Sequence, residues 1–77
     1  MDMELTQIQM AQDFEELAEQ YEVAASNERL WAKGSPDAET AHMHEENAEH
    51  ASEMAKFYRY LATRTLDLVE TYFEEEA

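Results

Sequence analysis

Three histidines share one short segment with several glutamates, and these are the side chains of the chain that could bind a metal ion. His42, Glu46 and His50 are spaced four residues apart, so on an α-helix they lie on one face. Imidazole and carboxylate groups together are common ligands of iron, zinc and manganese. The pattern leaves two interpretations: no cofactor, with histidines beside an acidic surface, or an iron or zinc site formed by His42, Glu46 and His50.

The same segment resembles a family of metal proteins. Residues 45–51 read Glu-Glu-Asn-Ala-Glu-His-Ala, which is similar to the second-helix motif of encapsulated ferritin-type subunits. Helical di-iron sites use a Glu-x-x-His pair, whereas Asn47 stands three residues before His50 in this chain. The resemblance implies a metal-binding subunit of a helical bundle, in which Glu15, Glu19 or Glu22 supplies the ligand from the first helix.

Carboxylates form the second and much larger group of reactive side chains. The 77 residues contain 19 Asp and Glu against 5 Lys and Arg, which gives a net charge of −14. Such a charge repels nucleic-acid phosphates and anionic lipids, which excludes direct DNA or RNA binding and docking on an acidic membrane. Glutamates recur in two segments that we expect to lie side by side, at an end of the molecule with almost no basic residue to neutralise them. We predict that they form a partner-binding surface: Glu15, Glu16, Glu19, Glu22, Glu45, Glu46, Glu49 and Glu53.

This acidic pattern indicates function more than stability, because like charges four residues apart oppose helix formation. A DNA duplex carries one phosphate charge per roughly 1.7 Å of its axis, and two neighbouring helices with frequent carboxylates approach that density. A protein that binds nucleic acid in a basic groove would also bind such a surface. The first hypothesis is therefore a non-enzymatic inhibitor that mimics nucleic acid. The alternatives are the metal-binding subunit and a self-associating structural protein whose acidic face is only solvated.

In size, acidity and helical content the chain is similar to the small acidic inhibitors that phages use against host defence systems, such as anti-CRISPR proteins. The resemblance is one of class, and the charge pattern predicts that the partner is a basic nucleic-acid-binding protein or complex. We expect no cofactor and no catalytic residue.

The elements that must position these side chains are predicted by the two helix breakers of the chain. Gly34 and Pro36 are its only glycine and proline, and residues that favour helices dominate the rest. We predict an all-α hairpin in one domain, residues 1–77, with a helix at about 4–32, a turn at 33–36 and a helix at about 36–74. Gly34 should end the first helix with a positive φ, and Ser35 should cap the second. Thr6 is a candidate cap of the first helix.

The apolar pattern predicts how the two helices pack and what else they need. A seam of spacing three and four runs through Met10, Phe14, Leu17, Tyr21, Ala24, Glu28 and Trp31. Folding the chain at 33–36 places Leu17 near Ser52, and residues beyond about 66 then extend past the first helix. These apolar residues predict a homodimer with a four-helix bundle. The alternative is a break at residues 63–65 that gives a third, C-terminal helix.

Other features exclude further function classes. The chain has no cysteine, so it has neither a disulfide nor a thiolate ligand or nucleophile. We see no apolar run of membrane-spanning length and no signal peptide. We therefore expect a soluble, cytoplasmic protein that is not an enzyme and has no membrane partner. Trp31 and the aromatic residues of the second helix are expected to pack in the hairpin or at the dimer interface.

Overall fold

The computed structural model describes residues 3–71, which form two antiparallel helices. Helix α1 runs over Met3–Gly34 and helix α2 over Ala38–Val69, with 32 residues each. At a rise of 1.5 Å per residue each helix is about 48 Å long, and the molecule measures 60 × 17 × 13 Å. The predicted all-α hairpin is confirmed, and the described residues contain no strand.

The turn uses different residues from those predicted. Asp37, and not Ser35, caps α2: it is extended (φ −136°, ψ 159°) and its carboxylate accepts a 2.7 Å hydrogen bond from the Thr40 amide. Ser35 instead caps the end of α1, because its hydroxyl donates to the Trp31 carbonyl oxygen over 2.7 Å. Gly34 lies within α1 without a positive φ, so the predicted left-handed stop is wrong. Pro36 ends the helix instead, since the residue before a proline avoids helical angles.

The helix register also corrects the sequence prediction. The guanidinium of Arg59 contacts Glu22, and that of Arg29 contacts Ser52, so each residue of α1 meets a later part of α2 than expected. The two helices are equal in length, and Val69 is buried at 5 % exposure. The predicted apolar extension beyond residue 66 is therefore wrong as far as Val69, because α2 lies alongside α1 to this point, although Leu66 and Leu68 remain 39 % and 40 % exposed.

Helix α2 passes through residues 63–65 without interruption, so the alternative with a third helix starting there is wrong. Thr65 is buried at 8 % exposure, and its packing outweighs the weak helix preference of a β-branched residue. Glu70 keeps helical angles (φ −59°, ψ −44°). The predicted helix end at Glu74 lies outside the described residues, as do Tyr72 and Phe73. At the other end α1 already begins at Met3, so Thr6 lies inside the helix and does not cap it.

The core of the hairpin is a row of alanines. The buried apolar residues repeat every seven positions along most of each helix: Ala11, Ala18 and Ala25 in α1; Ala48, Ala55, Ala62 and Val69, together with Ala51, in α2. A strict seven-residue repeat indicates a left-handed supercoil. Alanine lets the two backbones approach closely, but each buried methyl contributes only about 0.8 kcal/mol. No large side chain is fully buried among the described residues.

The predicted seam is thus only half right. In every second place the buried residue of α1 is the one that follows the predicted residue: Ala11, Ala18 and Ala25. Phe14, Tyr21 and Glu28 do face α2, half-buried beside the alanines. Met10 and Trp31 lie at the flank of the seam and are 41 % and 55 % exposed. The predicted spacing of three and four is confirmed, but small alanines, and not the larger apolar residues, occupy the centre of the interface.

Candidate acidic partner-binding surface

The two helices give the hairpin two different broad sides. On one side Arg59 meets Glu22 and Arg29 meets Ser52, and we call it the polar side. The seven-residue repeat places these four residues next to the buried alanines, at equivalent positions of the two helices. The acidic side chains of α1 and α2 fall on this side or on the outer edges next to it, with few exceptions.

Each of the eight predicted partner-binding glutamates is exposed, and the helical repeat places all of them on the polar side or its outer edges. Glu15 and Glu22 of α1, and Glu45 of α2, border the groove between the helices on this side. Glu49 and Glu53 lie further out on α2. The structure therefore brings the predicted residues to one side of the molecule, although the sequence alone could not select which side.

Along the length of the hairpin, however, the two groups of glutamates do not lie side by side as predicted. The register set by the Glu22–Arg59 and Arg29–Ser52 contacts places Glu15 beside the second half of α2. Glu45 lies beside the last turns of α1. The glutamates therefore form a diagonal track along the rod, with the α1 group followed by the α2 group.

The spacing within each group is close to that of phosphates on one nucleic-acid strand. Residues 15–22 span about 10 Å and residues 45–53 about 12 Å at 1.5 Å per residue, and each range carries four of the glutamates. This is one carboxylate per roughly 3 Å, against one phosphate per 3.4 Å on a single strand of a duplex.

Basic side chains interrupt the track, which the prediction of an unneutralised acidic end did not foresee. Both Nε and Nη2 of Arg59 donate to Oε1 of Glu22, over 2.8 and 2.7 Å, and both side chains are about half exposed. Arg29 and Lys33 lie with Glu45 and Glu49 around a shallow groove of about 450 Å³. The carboxylates of the track that form no ion pair within residues 3–71, among them Glu15, Glu19 and Glu49, are the candidates for contact with a partner.

The predicted metal ligands do not assemble into a site among the described residues. The His42 Nε2 atom lies 2.9 Å from a carboxylate oxygen of Glu46, and both side chains are about two-thirds exposed. No group of three or more His, Asp or Glu side chains within residues 3–71 is arranged to hold a metal ion. A cofactor at His42, Glu46 and His50 therefore stays a prediction, which a metal titration can test.

The third histidine makes an interhelical contact that the sequence interpretation missed. His44 Nδ1 lies 2.6 Å from Oε2 of Glu28, and both side chains are only about one fifth exposed. Because an ionised carboxylate can only accept, Nδ1 donates this hydrogen bond. The Trp31 ring lies over the same histidine, with a centroid distance of 5.8 Å. The signal was present in the sequence, since Glu28 was the one acidic residue in the predicted seam.

Aromatic rings fill the middle of the interface beside the alanines. Tyr58 stacks on both Phe14 and Tyr21 of α1, with centroid distances of 6.1 and 5.7 Å. By contrast Phe57 and Tyr60 are 51 % and 63 % exposed. The predicted packing role is thus confirmed for Tyr58, while Phe57 and Tyr60 point away from the interface between α1 and α2.

The other broad side of the hairpin, which we call the apolar side, carries large apolar residues that the two helices leave accessible. It is defined by Met10, Leu17 and Trp31 of α1 and by Met54, Phe57 and Leu61 of α2. In each helix one position of this side repeats every seven residues, beginning at Met3 in α1 and at Thr40 in α2. None of the residues at these positions is charged, and we call them the central row: Met3, Met10, Leu17, Ala24 and Trp31; Thr40, Asn47, Met54, Leu61 and Leu68.

Comparison of the chain with protein-family models, with curated proteins and with solved structures finds no match. Neither of the two described helices combines the length and the hydropathy that crossing a membrane requires. The geometry of the two sides is therefore the basis for assigning a function.

Proposed function

We propose that this chain is a small acidic, non-enzymatic inhibitor that mimics nucleic acid and occupies the basic groove of a DNA- or RNA-binding protein in the cytoplasm. Its class would be that of phage anti-defence proteins such as anti-CRISPR proteins. The observation that carries the proposal is the diagonal track of exposed glutamates, with about one carboxylate per 3 Å in each half. A cationic groove built for a phosphate backbone would meet a similar sequence of charges.

Two further properties support this proposal over a face that is only solvated. The charge is segregated: the apolar side of the hairpin has an uncharged central row, while the glutamates occupy the opposite side. The shape is a rod of 60 × 17 × 13 Å, which suits an elongated cleft. Steering between opposite charges would also make association fast at low salt.

The test is a competition assay with a panel of nucleic-acid-binding proteins, including CRISPR effector complexes. A short labelled duplex or single strand is bound to each protein, and fluorescence anisotropy follows its release as this chain is added. We expect release from at least one member, with an inhibition constant that weakens as salt is raised, because ion contacts are screened. Failure to displace nucleic acid from any member of the panel, at low salt, would contradict the proposal.

Charge variants separate a specific surface from general acidity. In the test variant Glu15, Glu19 and Glu49 are changed to Lys, since Glu22 and Glu46 already have partners in Arg59 and His42. A matched control changes Glu39, Asp67 and Glu70 to Lys, which alters the net charge equally but outside the eight glutamates. We expect the test variant to lose inhibition by at least tenfold more than the control, with the helical circular-dichroism signal retained in both. Equal losses would indicate that net charge alone is responsible.

We also propose that the functional unit is a homodimer in which two hairpins form a four-helix bundle. The support is energetic, because the interface within one hairpin consists mostly of alanine methyl groups, and domains of this size are marginal without further burial. Sedimentation at several protein concentrations tests this statement. A chain that is folded and monomeric over the whole range would contradict it.

A further inference from the structure

We infer that the apolar side is a self-docking surface with a defined symmetry: two hairpins stack these sides about a two-fold axis parallel to the helices, with both turns at the same end. This inference rests on the homodimer proposed above and is independent of the inhibitory activity. It specifies the contact surface, the relative direction of the two copies and an ion pair between the copies that occurs twice in the dimer.

The chemistry of the apolar side fits a second copy of the same chain. The side is uncharged along its central row, and Met10, Trp31 and Phe57 on it are between 41 % and 55 % exposed. The remaining surface carries most of a net charge of −14. Stacking apolar side on apolar side removes these residues from water and turns both acidic surfaces outward, which minimises repulsion between the copies.

The area of this side is sufficient for a stable dimer. The hairpin is 60 Å long and 17 Å wide, so one broad side has an outline of about 1,000 Å². A standard protein interface buries about 800 Å² per partner. One hairpin therefore offers enough surface on its apolar side, and no additional element of the chain is needed.

The direction of the two copies follows from two charges at the outer edges of the apolar side. Within residues 3–71 the repeat places Asp13 at the α1 edge and Arg64 at the α2 edge of this side. The Phe14–Tyr58 and Glu22–Arg59 contacts fix a register in which Asp13 and Arg64 stand at nearly the same height along the rod.

A two-fold axis along the rod places α1 of one copy opposite α2 of the other at equal height. Asp13 then faces the second copy's Arg64, and the symmetry repeats this pair on the other edge. If the turns lay at opposite ends, the second copy would be inverted along the rod, and Asp13 of one copy would not face Arg64 of the other. Neighbouring helices are antiparallel in either arrangement, as in up-down-up-down bundles, so the direction rests on these two ion pairs.

The first experiment measures the direction of the copies directly. The chain has no cysteine, so Glu39→Cys introduces a single spin-label site on the exposed surface near the turn. With both turns at one end, pulsed electron resonance should give a distance between labels of about 30 Å, set by helix diameters. Turns at opposite ends would give about 50 Å, close to the helix length, and this result or a monomer would overturn the inference.

The second experiment tests the surface and the ion pair by measuring the dimer dissociation constant. Met10→Gln with Phe57→Gln should raise it at least tenfold. The control Val23→Gln with Tyr60→Gln removes apolar groups that are more exposed, at 61 % and 63 %, but lie outside the apolar side, and it should not. Asp13→Arg or Arg64→Asp alone should weaken the dimer, and the two together should restore it. Equal effects of the test and control pairs, or no restoration by the charge swap, would refute the assignment.

These outcomes are distinguishable from a failure of the proposed function. The dimer variants change neither Glu15, Glu19 nor Glu49, and the inhibition variants leave the apolar side intact. A chain that dimerises as described but displaces no nucleic acid would retain this inference and refute only the inhibitor proposal.

Discussion

The interhelical contact between Glu28 and His44 should contribute measurably to stability, whereas a second contact of the same chemical type should not. We propose a double-mutant cycle with Glu28→Ala, His44→Ala and the double variant. A parallel cycle uses Glu46→Ala and His42→Ala. Each cycle replaces one glutamate and one histidine by alanine, so a difference between the two cycles reflects the setting of the contact and not the residue types.

The magnitude follows from exposure and geometry. A hydrogen bond to a charged group contributes about 1.5–3 kcal/mol when buried. The Glu28–His44 contact is short, at 2.6 Å, but its side chains are still about one fifth exposed, so we expect a coupling energy of about 1.5 kcal/mol. The His42–Glu46 pair is about two-thirds exposed and spans one helical turn. Pairs of this kind contribute about 0.2–0.5 kcal/mol.

The assay is urea unfolding at neutral pH, followed by circular dichroism and by the fluorescence of Trp31, whose ring contacts His44. Protein concentration is held constant, because an associating protein has a concentration-dependent stability. The helix propensity of each new alanine enters both sides of a cycle and cancels in the coupling energy. The reasoning is refuted if Glu28 and His44 are additive within about 0.3 kcal/mol, or if both cycles give the same coupling.

Two further predictions concern the cap of α2 and the metal hypothesis. Hydrogen bonds from the Thr40 amide and, to a lesser extent, the Thr40 hydroxyl hold the pKa of Asp37 below its ordinary value of 3.8. The stabilisation of the fold by the Asp37 carboxylate should therefore be complete above pH 3.8 and be lost as the pH falls through the lower pKa of the folded state. Asp37→Ala should therefore lower the melting temperature at pH 7, and the difference from the unchanged chain should shrink in acid below 3.8; a constant difference would contradict the capping role. For the metal hypothesis, iron or zinc should raise the melting temperature and His50→Ala should abolish that rise, whereas an unchanged melting temperature with either metal would argue against a site.

The fold class was predictable because the chain places its only glycine and proline together. The register was less predictable. The position of the turn depends on which residue caps which helix, and Ser35 and Asp37 are both good capping residues. Only the structure shows that Ser35 caps the end of α1 and that Asp37 caps the start of α2. That difference moves α2 along α1, and it removes the apolar extension predicted from the helix lengths.

The exposure of the candidate glutamates was predictable from their charge, but their arrangement was not. Sequence spacing identified two acidic segments, yet the contact between Glu22 and Arg59 depends on the register and on which face each helix buries. The buried face differs from the predicted one because burial follows the alanine repeat and not the larger apolar side chains. In this hairpin the large residues flank the interface, and the alanines Ala11, Ala18 and Ala25 lie at its centre.

The alanine repeat has a consequence for how this scaffold can vary. Ala18, Ala55 and Ala62 are almost completely buried where the two backbones approach, so a larger residue at any of them would push one helix away from the other. Glycine there would lose both helix propensity and contact. These buried positions thus tolerate few residue types, while the exposed positions are free to vary. A backbone with so restricted an interior can carry very different outer surfaces without a change of shape.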